Sequence, residues 1–301
     1  MINIDEIGRI CDKFNCKYTT GSLLKDYTTF RIGGKCTLLI DVTSSEAAAE
    51  LISYIRINDV KYAVIGRGSN ILAADKGFDG VLLHLGSGFS AVEINGTTIR
   101  TEAGASLADV CKKAQRAGLS GMENLYGIPG SVGGGLYMNA GAYGSEMKDV
   151  VVSAEYIDEN GRICKISAED MDLSYRHSIF SDRNCIITSV TFKLTEGNPD
   201  AIKEAMAECM QKRISKQPLE FPSAGSTFKR PVGSYASLLI EQCGLKGMSV
   251  GGAQVSEKHS GFVINKGGAT CSDVLELCRK VREIVQEKTG YSLELEPIIF
   301  E

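Results

Sequence analysis

Two glycine-rich stretches constrain this chain more than anything else in it. The longer runs Gly127-Ile128-Pro129-Gly130-Ser131-Val132-Gly133-Gly134-Gly135-Leu136-Tyr137-Met138-Asn139-Ala140-Gly141-Ala142-Tyr143-Gly144. Seven of those eighteen residues are glycine, which permits positive φ and close backbone approach, while Pro129 fixes one φ angle. Val132, Leu136 and Met138 inside the run argue against a flexible linker, whose composition would be polar. The shorter stretch, Gly66-Arg67-Gly68-Ser69-Asn70, directly follows the apolar run Tyr62-Ala63-Val64-Ile65. Successive backbone N–H groups in such turns can converge on phosphate oxygens. Either loop alone reads as a tight connection. Together they suit a ligand with two phosphates or a large planar cofactor.

Length and charge then exclude several classes of function. At 301 residues the chain has room for two domains of ~100–200 residues each. A net charge of −4 gives no overall electrostatic footprint for nucleic acid or an anionic membrane. No apolar run approaches the ~20 residues of a membrane span. Met1 to Glu6 has neither a basic n-region nor an apolar h-region, so a cytoplasmic location is expected. The ten cysteines are scattered without a C-x-x-C pair and read as reduced, structural thiols. His84, His177 and His259 lack metal-ligand spacing, and no metal site is expected.

Hydrophobic periodicity predicts a mixed α+β chain. A short amphipathic segment (Ile4, Ile7, Ile10, Cys11, Phe14) precedes a strand at Leu38-Leu39-Ile40. Thr43 and Glu46 read as a capping box for a helix carrying Ala47, Leu51, Ile52 and Ile55. Strands are expected at Tyr62–Ile65 and Val81–Leu85, and a hairpin over Val92–Arg100 with Asn95-Gly96 as its type I′ turn. Ser106 and Asp109 open a further helix that Gly118 ends. A second hairpin turns at Asn160-Gly161, and Ile186–Leu194 alternates at period two. Pro199 then opens a helix, which places a domain boundary near residue 198. A polar, basic loop from Arg213 to Pro231 follows, then helices over Tyr235–Cys243 and Ser272–Lys288 and a strand-like end, Leu293–Phe300.

Familiar nucleotide and hydrolase motifs are absent. Ile71 stands where a G-x-G-x-x-G fingerprint needs its third glycine, and there is no P-loop, G-x-S-x-G or H-E-x-x-H sequence. Arg176 reads by default as a surface arginine. Its aromatic neighbours Tyr175 and Phe180 suggest a partly enclosed guanidinium fit for a carboxylate or phosphate. Ser226 has no histidine nearby in sequence to act as its base, and Glu296 reads by default as the solvent face of a last strand. Lys216, Lys229 and Arg230 fit either a solvated basic loop or an anionic substrate. The residues alone reach a phosphate-bearing ligand and no further.

The chain also resembles the UDP-N-acetylenolpyruvoylglucosamine reductases. The likeness rests on separated motifs in a shared order: Thr29-Phe30-Arg31-Ile32-Gly33-Gly34, Gly66 to Leu72, Gly127 to Gly144, Tyr175 to Phe180, Ala224 to Lys229, and Gly251 to His259. That resemblance implies a two-subdomain FAD-binding fold of the vanillyl-alcohol-oxidase/PCMH type over 1–197, divided into about 1–58 and 59–197. A substrate-binding α+β domain over 198–301 would close over the UDP-sugar. It implies a flavoprotein oxidoreductase of peptidoglycan and cell wall biogenesis, and so of cell shape and division. Non-covalent FAD would be reduced by NADPH, and the enolpyruvyl ether of UDP-N-acetylglucosamine would then receive a hydride at its methylene carbon. The chain would be a monomer.

Residue roles follow from the same resemblance. Arg176 would stabilise the enolate that forms on the substrate carboxylate, Ser226 would donate the proton, and Glu296 would sit near that carboxylate. Cofactor contacts would come from Gly66, Arg67, Gly68, Ser69, Asn70, Ile71 and Leu72, and from Ile128, Pro129, Gly130, Ser131, Gly133, Gly134, Asn139, Gly141 and Ala142. Substrate contacts would come from Tyr175, Arg213, Lys229, Arg230 and His259. The C-terminal segment Leu293-Glu294-Leu295-Glu296-Pro297-Ile298 departs from the family's Leu-Glu-Pro-Glu-Val-Arg. Glu296 is preferred because Gly290 and Leu293 then keep their spacing. The fifty positions from Arg176 to Ser226 match the shorter subtype that lacks a tyrosine-bearing insertion. Two competing readings remain: another oxidoreductase on this flavin scaffold, and a flavin- or UDP-sugar-binding module without turnover. Neither glycine loop holds a histidine or cysteine to tether a flavin, and Arg176, Ser226 and Glu296 are all retained.

Overall fold

The computed structural model describes residues 2–301. Two compact units emerge, and both are discontinuous in sequence, whereas a contiguous division near residue 198 was expected. The first holds the segments up to Thr20, Leu38–Arg67 and Gly80–Lys212; the second holds Gly21–Thr37, Gly68–Asp79 and Arg213–Glu301. Periodicity could not reveal this, because the short segments 21–37 and 68–79 contain too few residues to show which core they join.

The first unit is built on two sheets. One orders its strands Lys17–Thr20, Cys36–Asp41, Phe78–His84, Tyr62–Ile65, with the last pair parallel. The other is antiparallel, in the order Ile163–Ser167, Val151–Ile157, Ile186–Lys193, Thr98–Glu102, Val92–Asn95. Helices α1 (Ile4–Lys13) and α2 (Ser45–Ile57) pack on each other. Leu51, Ile52 and Ile55 of α2 are fully buried, and each such side chain contributes about 1.5–3 kcal/mol. The α2 cap lies one residue later than expected: Ser44 Oγ accepts from Ala47 N, while Thr43 Oγ1 donates to the Phe14 carbonyl. Helix α3 (Leu107–Arg116) starts after Ser106, whose side chain makes no capping bond. Helix α4 (Val132–Tyr137) arises within the long glycine loop and packs on Ile186–Lys193. The first hairpin pairs Asn95 with Thr98, which leaves Gly96-Thr97 as its turn. Gly96 has φ 55 and Thr97 no positive φ, a type II′ pattern in place of type I′. Helices α5 (Ile179–Asp182) and α6 (Pro199–Lys216) complete the series. Arg213 therefore lies in the last turn of α6 and not in a loop.

The second unit has its own core around α7 (Ala236–Gln242) and α8 (Cys271–Thr289), with Leu239, Ile240, Leu277, Val281 and Val285 buried. A three-stranded sheet orders Ser249–Val250, Ala253–Val255, Val263–Asn265. Gly290, left-handed at φ 78, ends α8 as expected. The chain's end forms a shorter strand than expected, Ile298–Phe300, parallel to Ile71–Ala73. Residue Pro297 intervenes before it and has no N–H to offer a ladder.

Candidate active site

In the first unit the two glycine loops meet. A Cβ at Gly66 would fall on Ser131 Oγ, and Arg67 Nε donates to the Pro129 carbonyl at 2.9 Å. Ser131 caps α4 by accepting from Gly134 N at 3.4 Å. Gly133 presses on the neighbouring strand end: an added Cβ would lie 2.7 Å from Ala103 Cβ. Around Gly130, backbone bonds run from Leu107 N to its carbonyl, and Ile128 N donates to the Leu125 carbonyl. Gly134 differs from its neighbours. It is exposed, and a Cβ there would meet only Ser131 Oγ, at 3.3 Å.

This arrangement fits the expected non-covalent FAD. Gly66 and Gly133 are glycine because the protein itself fills the space. Gly134 leaves bare backbone on the outside of the joined loops, a cradle that any side chain would occupy. Gly141 and Ala142 form the first strand of a small hairpin with Ser145–Glu146, turned by Tyr143 (φ 52) and Gly144 (φ 89). Two successive positive φ values are the type I′ pattern. Asn139 is fully buried, with φ 42, and its side chain is engaged by protein: Nδ2 donates to Ser174 O (2.9 Å) and Glu146 Oε2 (3.1 Å), and Oδ1 accepts from Lys148 N (2.9 Å).

Arg176 sits in the tight turn Ser174–His177, closed by reciprocal backbone bonds of 3.2 Å, and has φ 56. Its guanidinium carbon lies 5.0 Å from the centroid of the exposed Tyr175 ring, and the residue is half-buried. Phe180 is buried, its ring edge-on against Tyr156 at 5.6 Å. The Glu146 carboxyl is held below its usual value by a hydrogen bond from Lys148, with Asn139 and the Arg176 charge adding to this.

The second unit assembles the remaining candidates. Gly68, at φ 60, packs where a Cβ would fall on the Tyr27 carbonyl oxygen, and Thr29 N donates to Gly68 O. Ser69 and Asn70 are half-buried, whereas Ile71 and Leu72 are buried strand residues, Leu72 in the unit's core. Ser226 is half-buried between Gly225 (φ 77) and buried Thr227. Thr227 is fixed by its N–H to the Gly261 carbonyl and by Val263 N to its Oγ1, each at 2.8 Å. Glu296 lies beside this segment, its N–H bonding to Thr227 O at 3.0 Å. Asn70 reaches the same place: Nδ2 donates to Glu296 O (3.1 Å) and its carbonyl accepts from Ile298 N (2.9 Å). The first glycine loop, the Ser226 segment and Glu296 are thus one hydrogen-bonded group.

The cationic candidates are more dispersed. Lys229 Nζ pairs with Glu294 at 3.5 Å in an exposed, weak contact. Arg230 stacks over the exposed Tyr235 ring at 4.5 Å, and Arg213 Nε donates to Gln217 Oε1 at 2.9 Å. His259 accepts at Nδ1 from Gly261 N and lies edge-on to Phe262. Burial pushes its pKa down, with Lys246 and Lys216 adding to this, and the bond from Gly261 N at Nδ1 leaves Nε2 as the nitrogen that carries the proton of a neutral ring. Glu146, Ser174 and Tyr235 were missed from sequence, because nothing in their local pattern marks them. Among the described residues, no group of three or more His, Cys, Asp or Glu side chains could hold a metal ion.

Known proteins align with this architecture. Residues 37–167 match the profile described as FAD binding domain. Residues 217–300 match that of the UDP-N-acetylenolpyruvoylglucosamine reductase C-terminal domain. The UDP-N-acetylenolpyruvoylglucosamine reductase of Caldanaerobacter subterraneus subsp. tengcongensis is 47% identical over 270 residues, covering 90% of this chain and 89% of that protein. That of Clostridium novyi is 45% identical over 291 residues, covering 97% and 94%. A crystal structure of UDP-N-acetylenolpyruvylglucosamine reductase from Thermus caldophilus superimposes with a TM-score of 0.81 at 37% identity, covering 95% of this chain and 99% of that one. The chain belongs to the UDP-N-acetylenolpyruvoylglucosamine reductase family.

Proposed function

We propose that this protein reduces the enolpyruvyl ether of UDP-N-acetylglucosamine to UDP-N-acetylmuramate during peptidoglycan precursor synthesis, with FAD as cofactor and NADPH as reductant. Glu296 carries the reading: its peptide group is hydrogen-bonded both to Asn70 of the first glycine loop and to Thr227, next to Ser226. FAD held by the glycine loops would supply two-electron hydride chemistry between NADPH and the substrate, forming a new C–H bond at the methylene carbon. As that C–H bond forms, the carbon–carbon double bond opens and charge moves onto the carboxylate as an enolate. Arg176 meets this charge with a guanidinium already held in place, a preorganised electrostatic task. Ser226 Oγ gives its proton to the ether carbon and is reprotonated from solvent. Glu296 lies near the carboxylate, and Lys229 orients substrate or serine.

The joined glycine loops, with Gly68 to Asn70, hold the cofactor. Tyr175, Arg213, Arg230 and His259 contact the UDP-sugar. Apart from Tyr175 and Arg176, residues up to about 197 serve FAD binding, and those beyond serve the substrate. The protein acts as a cytoplasmic monomer and supports cell shape and division through its product.

Anaerobic stopped-flow absorbance at the flavin bands tests this. NADPH bleaches the flavin, and UDP-N-acetylglucosamine enolpyruvate restores it. Ser226→Ala is expected to bleach normally and to recover about 10²–10⁴-fold more slowly. Bleaching without recovery in the wild type sinks the substrate assignment, and unchanged recovery in Ser226→Ala removes that serine from the mechanism.

A further inference from the structure

The turn that carries Arg176 is fastened at both ends to the long glycine loop. At one end, Asn139 Nδ2 donates to the Ser174 carbonyl at 2.9 Å. At the other, Ser178 Oγ donates to the Tyr137 carbonyl at 2.7 Å. Asn139 and Ser178 are both fully buried, so the donor end of each bond is shielded from water. Arg176 occupies the left-handed region, φ 56, which a branched-chain or long L-residue adopts only when its surroundings impose it. The second Nδ2 hydrogen of Asn139 goes to Glu146 Oε2 at 3.1 Å, and Glu146 is also paired with Lys148 at 2.7 Å. The side chain of Asn139 thus spends both donors, and accepts Lys148 N, inside the protein.

We propose that Asn139 is a positioning residue for Arg176 and not a side-chain ligand of the cofactor: with Ser178 it makes the flavin-binding loop and the carboxylate-binding turn one rigid piece. The inference rests on the function proposed above. Its physical content is preorganisation, since an arginine held by buried tethers need not reorganise when charge appears on the substrate carboxylate. Glu146 completes the arrangement. It is the carboxylate that Asn139 orients, and its charge faces Arg176 as well as Lys148.

Asn139→Asp is the informative change. It keeps the size, the tolerance of positive φ and an acceptor for Lys148 N. It replaces both donors by an oxygen facing Ser174 O and Glu146. We expect FAD affinity, read by flavin fluorescence, and the rate of bleaching by NADPH to stay within about twofold, while recovery with the enolpyruvyl substrate falls roughly 100-fold, the cost of a misplaced group. Calorimetry gives a second readout. Affinity for UDP-N-acetylglucosamine enolpyruvate should fall, while affinity for UDP-N-acetylglucosamine, which lacks the carboxylate, stays unchanged. In an Arg176→Ala background, Asn139→Asp should cost nothing further in recovery, because it acts through that arginine.

Ser178→Ala removes the other tether with one atom lost and should show the same carboxylate-selective loss, about tenfold in recovery. That variant also decides the matter should Asn139→Asp fail to fold. Loss of FAD with normal recovery per bound flavin would make Asn139 a cofactor ligand and overturn the inference. So would losses that multiply with Arg176→Ala, or an equal loss of affinity for both sugars. A wild-type protein that never recovers with the enolpyruvyl substrate defeats the proposed function instead, which separates the two failures.

Discussion

Thr188 shows how a single buried atom can oppose stability. Its Oγ1 is fully buried in the strand Ile186–Lys193 and has no hydrogen-bond partner among the described residues. A buried hydroxyl left unpaired costs about 1–3 kcal/mol, and valine has the same shape without the polar atom. Thr188→Val should therefore raise the unfolding free energy by about 1 kcal/mol, read as a higher urea midpoint at constant slope. His259 is the opposite case, a polar ring whose burial is matched by Gly261 N–H at its Nδ1. Its folded pKa lies below the unfolded 6.5, so the unfolded chain binds the proton more readily. Stability from this residue is present above pH 6.5 and declines as pH falls below it. Glu296 differs again: its peptide N–H donates to the Thr227 carbonyl and its carbonyl accepts from Asn70 Nδ2.

At the level of elements, α8 shows what a local rule can and cannot predict. Thr270 and Asp273 form a capping box at its start, and Gly290 ends it. What completes the N-terminus comes from far away in sequence: Asp75 accepts from Cys271 N (2.7 Å), Ser272 N (3.0 Å) and Ser272 Oγ (2.8 Å). Asp75→Asn should turn donors toward Ser272 and destabilise the second unit by about 1 kcal/mol, comparable to losing a helix cap. The Cys271 thiol reports the change independently. Burial, and after it the Asp75 charge, push its pKa up to about 11, so the variant's thiol should titrate lower while remaining buried. The hairpin at Asn95-Gly96 gives the converse lesson. The dipeptide located the turn, but strand register placed Asn95 in the ladder and left Gly96 to take the only positive φ.

For the whole molecule, burial of the cysteines sets a pH limit. The Cys11, Cys111 and Cys278 thiols are pushed up to about 12, each chiefly by burial, from 9.0. The folded chain holds these protons longer than the unfolded one, so the stability they contribute is intact below pH 9 and is lost as pH rises toward 12. Urea midpoints should fall progressively above pH 9, and native protein at pH 8 should react with iodoacetamide far more slowly at these three sites than unfolded protein does. Equal labelling of native and unfolded chains would contradict the thiols' burial. Much of the architecture was legible in sequence because it depends on local signals: α8 from its apolar period and Gly290, the strand Tyr62–Ile65 from its composition, the two loops from their glycines. The motifs that mark the family were equally visible, since each is a contiguous run. What the sequence could not contain was any relation set by distant chain segments. The ownership of 21–37 and 68–79, the tie of Asn70 to Glu296, and the two tethers on the Arg176 turn join residues 35 to 226 positions apart. Hydrogen bonds of that kind exist only once packing has excluded water and fixed the partners, and so tertiary structure alone decided them.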